Sequence, residues 1–124
     1  MSCLVDLVFK ELSHLAELKK LRSEGEKKVL FLKLKSRYER VKHIVSRILE
    51  EVGRRGEVIS VEGGGEVIDI GEKSLSVRRA LVSEVYDYEE MSTAFLRLYE
   101  FEDEFGRIWS SVYVDYDSKS LWWE

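Results

Sequence analysis

Two histidines and one cysteine are the side chains of this 124-residue chain best suited to metal or nucleophilic chemistry, and they are scattered. His14 and His43 fall in separate apolar-periodic segments, and Cys3 sits near the start. A metal site draws on about three convergent His, Cys or carboxylate ligands. Neither histidine has a second histidine or a cysteine at i±3 or i±4, the spacing that sets two ligands on one helix face. A nucleophilic cysteine needs a nearby base and a depressed pKa. Ahead of an apolar helix, Cys3 reads instead as a small hydrophobe.

Three further constellations fail on geometry. Gly63-Gly64-Gly65 could cradle a phosphate only if a helix followed, because the anion is held by backbone N–H groups at a helix N-terminus. Strand-like residues follow, and Glu62 and Glu66 flank the glycines. Asp69, Glu72 and Lys73 suggest a nuclease carboxylate–lysine set, but Glu72 and Lys73 are adjacent and would point to opposite faces of a strand. The acidic runs Asp87–Glu90 and Glu100–Glu104 carry oxygen ligands of the type Mg²⁺ or Ca²⁺ takes, yet charge near hairpin ends in an acidic segment is ordinarily solvated. No catalytic residue, metal site or cofactor is expected.

Charge and aromatic content do show a pattern. Residues 1–56 hold fourteen Lys/Arg against eight Asp/Glu, residues 57–124 six against sixteen, and the chain nets −4. Lys33, Arg37, Arg40 and Arg47 fall along one flank of a helical wheel, and Arg54 and Arg55 prolong the positive charge. Such a stripe can track a phosphate backbone, or its stems can cover an apolar edge while the charges stay wet. Phe95, Tyr99, Phe101 and Phe105 share one strand parity, as do Trp109 and Tyr113. That spacing can form a stacking platform, although the neighbouring acids favour a core or a protein contact. Trp122 and Trp123 would form an interface patch if exposed.

The elements that must position these residues follow from periodicity. From Cys3 to Arg22 the leucines and valines recur at helical spacing. Ser23, with Glu26 three residues on, has the form of a capping box that opens a second helix. From there Phe31, Leu34, Tyr38, Val41, Val45, Ile48 and Val52 step by three and four, a heptad seam that ends at Gly53 and Gly56. The seam predicts a helix roughly 40 Å long at about 1.5 Å per residue. Beyond residue 56 the pattern turns strand-like over Glu57–Glu62, Glu66–Ile70, Leu75–Tyr88, Ser92–Phe105 and Arg107–Tyr116, with Leu121–Trp123 as a short edge. Gly63–Gly65 and Gly106 are the expected hairpin loops. The length of Leu75–Tyr88 implies a bend or bulge.

The fold class expected is therefore α+β in a single domain over 1–124: an N-terminal antiparallel helical hairpin (1–56) and a roughly five-stranded antiparallel β-meander (57–124). A chain this long buries roughly two-thirds of its unfolded surface and needs no staple. One cysteine allows no internal disulfide, no apolar run approaches the ~18 residues of a membrane span, and a cytoplasmic setting fits. Absent Asn, Gln and Pro with 35% charged residues point to a heat-adapted archaeon or a virus of one. The function expected is a non-catalytic protein-interaction or assembly module. It would self-associate, or hold a protein partner, through Phe31, Leu34, Tyr38, Val41, Val45 and Ile48, with Trp122 and Trp123 as further anchors. The alternative is nucleic-acid binding along Lys33, Arg37, Arg40, Arg47, Arg54 and Arg55.

Overall fold

A computed structural model describes residues 4–24, 27–54, 56–64, 66–70, 73–87 and 91–116. Its elements are α1 (Leu4–Leu12), a 3-10 turn (Ser13–Leu15), β1 (Ala16–Glu24), β2 (Lys27–Leu34), α2 (Tyr38–Gly53), β3 (Gly56–Gly63), β4 (Glu66–Ile70), β5 (Lys73–Asp87), β6 (Ser92–Glu102) and β7 (Ile108–Asp115). The α+β class and the antiparallel sheet hold. The helical hairpin and the five-stranded meander do not.

The segment expected to join two long helices is a β-hairpin. β1 and β2 pair from Ala16 opposite Leu34 to Glu24 opposite Lys27, and Glu17 is an extra residue that makes a bulge. β2 then lies against β7, so this hairpin extends the C-terminal sheet instead of covering it. Ser23 opens no helix; it stands in β1, opposite Lys28. α2 begins only at Tyr38 and ends at Gly53, so its 16 residues span about 24 Å rather than 40 Å. Arg37 precedes it in extended conformation, and Val41 N–H donates to the Arg37 carbonyl to close the first turn.

Every pairing in the sheet is antiparallel, in the order β1-β2-β7-β6-β5-β3. β4 lies on β5 as well. Gly63 opposes Ala80 and Glu66 opposes Val77, which is one register on both sides of the glycines. β3 and β4 thus form a single edge, and the sheet is six strands wide. The glycine run is not a hairpin loop; it interrupts this edge. The reason lies across the ladder, where Arg78 is a bulge in the pairing of β5 with β6. A Cβ on Gly64 would sit 2.4 Å from the Arg78 carbonyl oxygen, so the bulge can approach only a residue with no side chain.

Alternation assigns the two faces. Leu30, Leu32, Leu34, Leu81, Val85, Leu96, Leu98, Val112 and Val114 point to one face and join Val5, Val8 and Leu12 of α1 and Val41, Val45, Ile48 and Val52 of α2 in one buried cluster. Truncating a fully buried leucine of such a cluster costs about 2–5 kcal/mol. The second face carries Val29, Phe31, Val77, Tyr99, Phe101 and Tyr113, all buried too. The β6–β7 hairpin turns where expected: Gly106 has φ +74°, and Asp103 Oδ1 accepts from the N–H groups of Phe105 and Arg107, each at 2.9 Å.

Candidate functional site

Where β2 leaves the sheet and α2 begins, residues Lys35–Arg37 border a cleft of about 330 Å³. Its walls include Tyr38 and Glu39 from α2, Glu100 from β6, and Trp109 and Ser110 from β7. One guanidinium organises this end of the sheet. Arg79 donates from Nε and Nη2 to the two oxygens of Glu100 at 3.2 and 2.9 Å. Its Nη1 lies 2.6 Å from Glu39, and its plane lies 4.4 Å from the Tyr38 ring centroid. Arg78 Nε is 3.7 Å from the same Glu100. Adjacent strand residues ordinarily point to opposite faces; the bulge at Arg78 lets two consecutive arginines address one carboxylate.

The electrostatics follow from that geometry. The hydrogen bonds that Arg79 donates to Glu100 and then to Glu39 hold its pKa above the ordinary value. The Arg79 hydrogen bond holds the Glu39 carboxyl below its usual range. Burial pushes the Tyr38 phenol up. Both Glu100 oxygens accept from Arg79, and Arg79 in turn is shared among two carboxylates and a ring. The cluster clamps the first turn of α2 to the sheet. Its charges neutralise one another, which is the arrangement of a strut and not of an acid–base pair.

The expected site residues are dispersed. Phe31 is on β2, edge-on to Tyr113 with ring centroids 6.2 Å apart. Leu34, Tyr38, Val41, Val45 and Ile48 belong to the main core, at 3% exposure or less. These six apolar side chains fill the chain's own interior. Trp122, Trp123, Cys3 and Arg55 lie outside the described residues. The aromatic residues of β6 and β7 pack on one another, Phe101 against Trp109 at 4.7 Å and against Tyr99 at 5.4 Å. His14 is exposed in the 3-10 turn, and His43 is exposed on α2. Among the described residues no group of three His, Cys, Asp or Glu converges to hold a metal, and no helix is long and apolar enough to cross a membrane.

The basic flank divides differently. Lys33 belongs to β2, with its ammonium 4.9 Å from the Trp109 ring centroid and 3.9 Å from Glu17. Arg40 and Arg47 are exposed on α2, Arg37 is exposed just before its start, and Arg54 is exposed just past its end. At about 100° per residue Arg40 and Arg47 lie about 20° apart on the helix. Arg78, Arg79, Arg97 and Arg107 each have a carboxylate within 4.0 Å. Among the described residues Arg37, Arg40, Arg47 and Arg54 have none.

Sequence reasoning missed two charged clusters. Arg79 and Glu100 are 21 residues apart and nothing local links them. Arg97 was legible: the parity that puts Phe95 and Tyr99 on one face puts Arg97 there as well, so it needed a buried partner. That partner is Asp115, at 2.8 Å. Comparison with protein-family models, curated proteins and solved structures found no match in any of the three.

Proposed function

We propose that the chain is a non-catalytic binding module whose α2 lays its outer face along a nucleic-acid phosphate backbone. One observation carries this reading: of the four described arginines without a carboxylate within 4.0 Å, Arg40 and Arg47 share one face of α2 while Arg37 and Arg54 flank its two ends. Arg78, Arg79, Arg97 and Arg107 each have a carboxylate within 4.0 Å, even at the surface, as with Arg107 and Asp103. The apolar face of α2 is taken up by the core, which leaves the polar face for a partner. Arg40 and Arg47 are seven residues apart, about 10 Å along the axis, and Arg54 continues the line at the same interval. Guanidinium groups suit phosphate because their donors form a planar fork. Glu50 and Glu51 are interspersed and thin the positive field, which favours a weak backbone contact over base-specific readout.

Fluorescence anisotropy with labelled duplex DNA and single-stranded RNA tests the reading. Three to four phosphate contacts give a slope of log K against log salt of roughly −3 to −4 on duplex DNA. The variant Arg37→Ala/Arg40→Ala/Arg47→Ala should lose most of the affinity and flatten the slope. Absence of binding to either polymer at low salt, or full affinity in the triple variant, removes the proposal.

A further inference from the structure

We propose that the two open edges of the sheet are complementary, so that β1 of one copy adds to β3 of the next and the chain assembles head to tail. Among the described residues nothing pairs with the outer side of β1 or of β3, which end the strand order. Unprotected edges of this kind are templates for strand addition. Of the seven exposed large apolar side chains among the described residues, four stand on these two strands: Leu18 and Leu21 at 42% and 49%, Ile59 and Val61 at 64% and 66%. The strands match in length, with nine and eight residues.

Direction and face agree as well. A sheet six strands wide with every pairing antiparallel has outer strands that run in opposite directions. A second copy set beside the first in the same orientation therefore meets β3 with its own β1 antiparallel. Following the registers across the sheet puts Leu18, Lys20 and Arg22 on the same face as Glu57, Ile59 and Val61. The register that sets Arg22 against Glu57 also sets Leu18 against Val61, and Leu21 against Val58 on the opposite face.

Charge identifies the occupant as a second copy. From Leu18 to Ser23, β1 carries Lys19, Lys20 and Arg22 and no acid. β3 carries Glu57 and Glu62 and no base. In the register above, β1 against β3 sets Arg22 against Glu57 and the stems of Lys19 and Lys20 against uncharged Ser60 and Ile59, whereas two β3 edges would bring acids together with no base. A contact between unlike surfaces does not close on itself as a twofold dimer does. It continues into a ring or a filament.

Two edge-blocked variants test this. Lys19→Glu/Lys20→Glu reverses β1, and Ile59→Lys/Val61→Lys places cations on β3 at exposed positions. Light scattering on the wild type should show masses rising with concentration through integral multiples of the single chain. Each variant alone should stay monomeric. An equimolar mixture should assemble again, because the unaltered edges pair as in the wild type and the altered edges set Lys20→Glu against Ile59→Lys, opposite charges in the same register. That recovery also demonstrates that both variants fold. A wild type that is monomeric at high micromolar concentration, a variant that assembles alone, or a mixture that stays monomeric each overturns the proposal. Neither variant touches Arg37, Arg40, Arg47 or Arg54, so assembly and nucleic-acid affinity fail or succeed independently.

Discussion

Arg79 grips Glu100 with two parallel hydrogen bonds, one from Nε and one from Nη2, across neighbouring strands. Glu100 is buried at 7% exposure, whereas the Arg79 side chain is nearly half exposed. The pair therefore brings a surface cation down onto an interior carboxylate, and the same cation reaches Glu39 on α2. Removing the guanidinium leaves a buried carboxylate with Arg78 Nε, at 3.7 Å, as its remaining cation. Arg79→Ala should cost about 1–3 kcal/mol, the range for hydrogen bonds to a charged group, discounted for the exposed side of the pair. Arg79→Lys should recover only part of it, because one ammonium cannot reproduce the two-pronged grip and the contact with Glu39 together. Urea unfolding of the two variants measures both. Equal stability of wild type and Arg79→Ala would show that the strut bears no load.

Alkaline stability should fall from about pH 10 upward. The Tyr38 phenol is raised above 10.0 by burial, and the Lys42 ammonium above 10.5 by its hydrogen bond with Glu62. In both cases the folded chain keeps a proton that the unfolded chain has released, so each contribution is present at neutral pH and drains as pH rises through the folded pKa. Glu39 acts at the other end. Its carboxyl is depressed below 4.5 by Arg79, so its contribution stands above that pH and is lost as acid protonates it. Melting temperatures from pH 7 to 11 should decline less steeply in Tyr38→Phe than in wild type. An identical decline would put the alkaline loss elsewhere.

The strands after residue 56 were legible because parity and length agree there; β4 matches its expected span, and the bulge in β5 was implied by its length, but the turn expected at the glycines does not join β3 to β4 as a hairpin. The N-terminal half was not, and specific residues show why. Leu15, Leu18 and Leu21 step by three, as on a helix, while Lys19, Lys20 and Arg22 bring none of the β-branched or aromatic residues that favour strands. Pairing with β2 overrides that local preference. In β2, residues 29 to 32 are apolar on both faces, which suits a central strand packed on either side and hides the two-residue period. Phe31, Leu34 and Tyr38 then continue the step of three and four by coincidence, since Phe31 and Leu34 point to opposite faces. The true break at Ser36-Arg37 carries neither glycine nor proline. The Arg79 clamp, built across the sheet, left no trace in local sequence. Of the basic flank, Arg40 and Arg47 do share the outer face of α2, because their spacing depends only on the helix, whereas Lys33 stands on β2 and Arg37 precedes the helix.

Gly64→Ala tests the edge interruption. The added methyl group would meet the backbone carbonyl of Arg78, which cannot rotate away as a side chain can. Either β5 loses its bulge or β3 and β4 separate from it, at about 1–3 kcal/mol, the usual cost of overpacking. Gly63→Ala is the control, since a Cβ there meets nothing within 4 Å. Thermal melts should separate the two variants by several degrees. Matching melts would mean that the edge accommodates a side chain at Gly64 without strain.

Arg97 and Asp115 form the most secluded ion pair described, with side chains 4% and 3% exposed and 2.8 Å between Nη1 and Oδ1. The guanidinium carbon lies 5.5 Å from the Phe95 ring centroid and 5.6 Å from that of Tyr113, so aromatic faces share its charge. Desolvating two charges offsets much of their attraction, while removal of one leaves the other buried and unbalanced. Arg97→Met and Asp115→Leu should therefore each cost about 3–5 kcal/mol, and the double variant far less than their sum. A double-mutant cycle by urea unfolding at neutral pH reads the coupling directly. Additive losses would show that each charge is balanced by other neighbours. A double variant as stable as wild type would show that the pair contributes register and specificity to the β6–β7 ladder rather than net stability, since the two strands hold Arg97 one register position from Asp115's partner Phe95 on the same face.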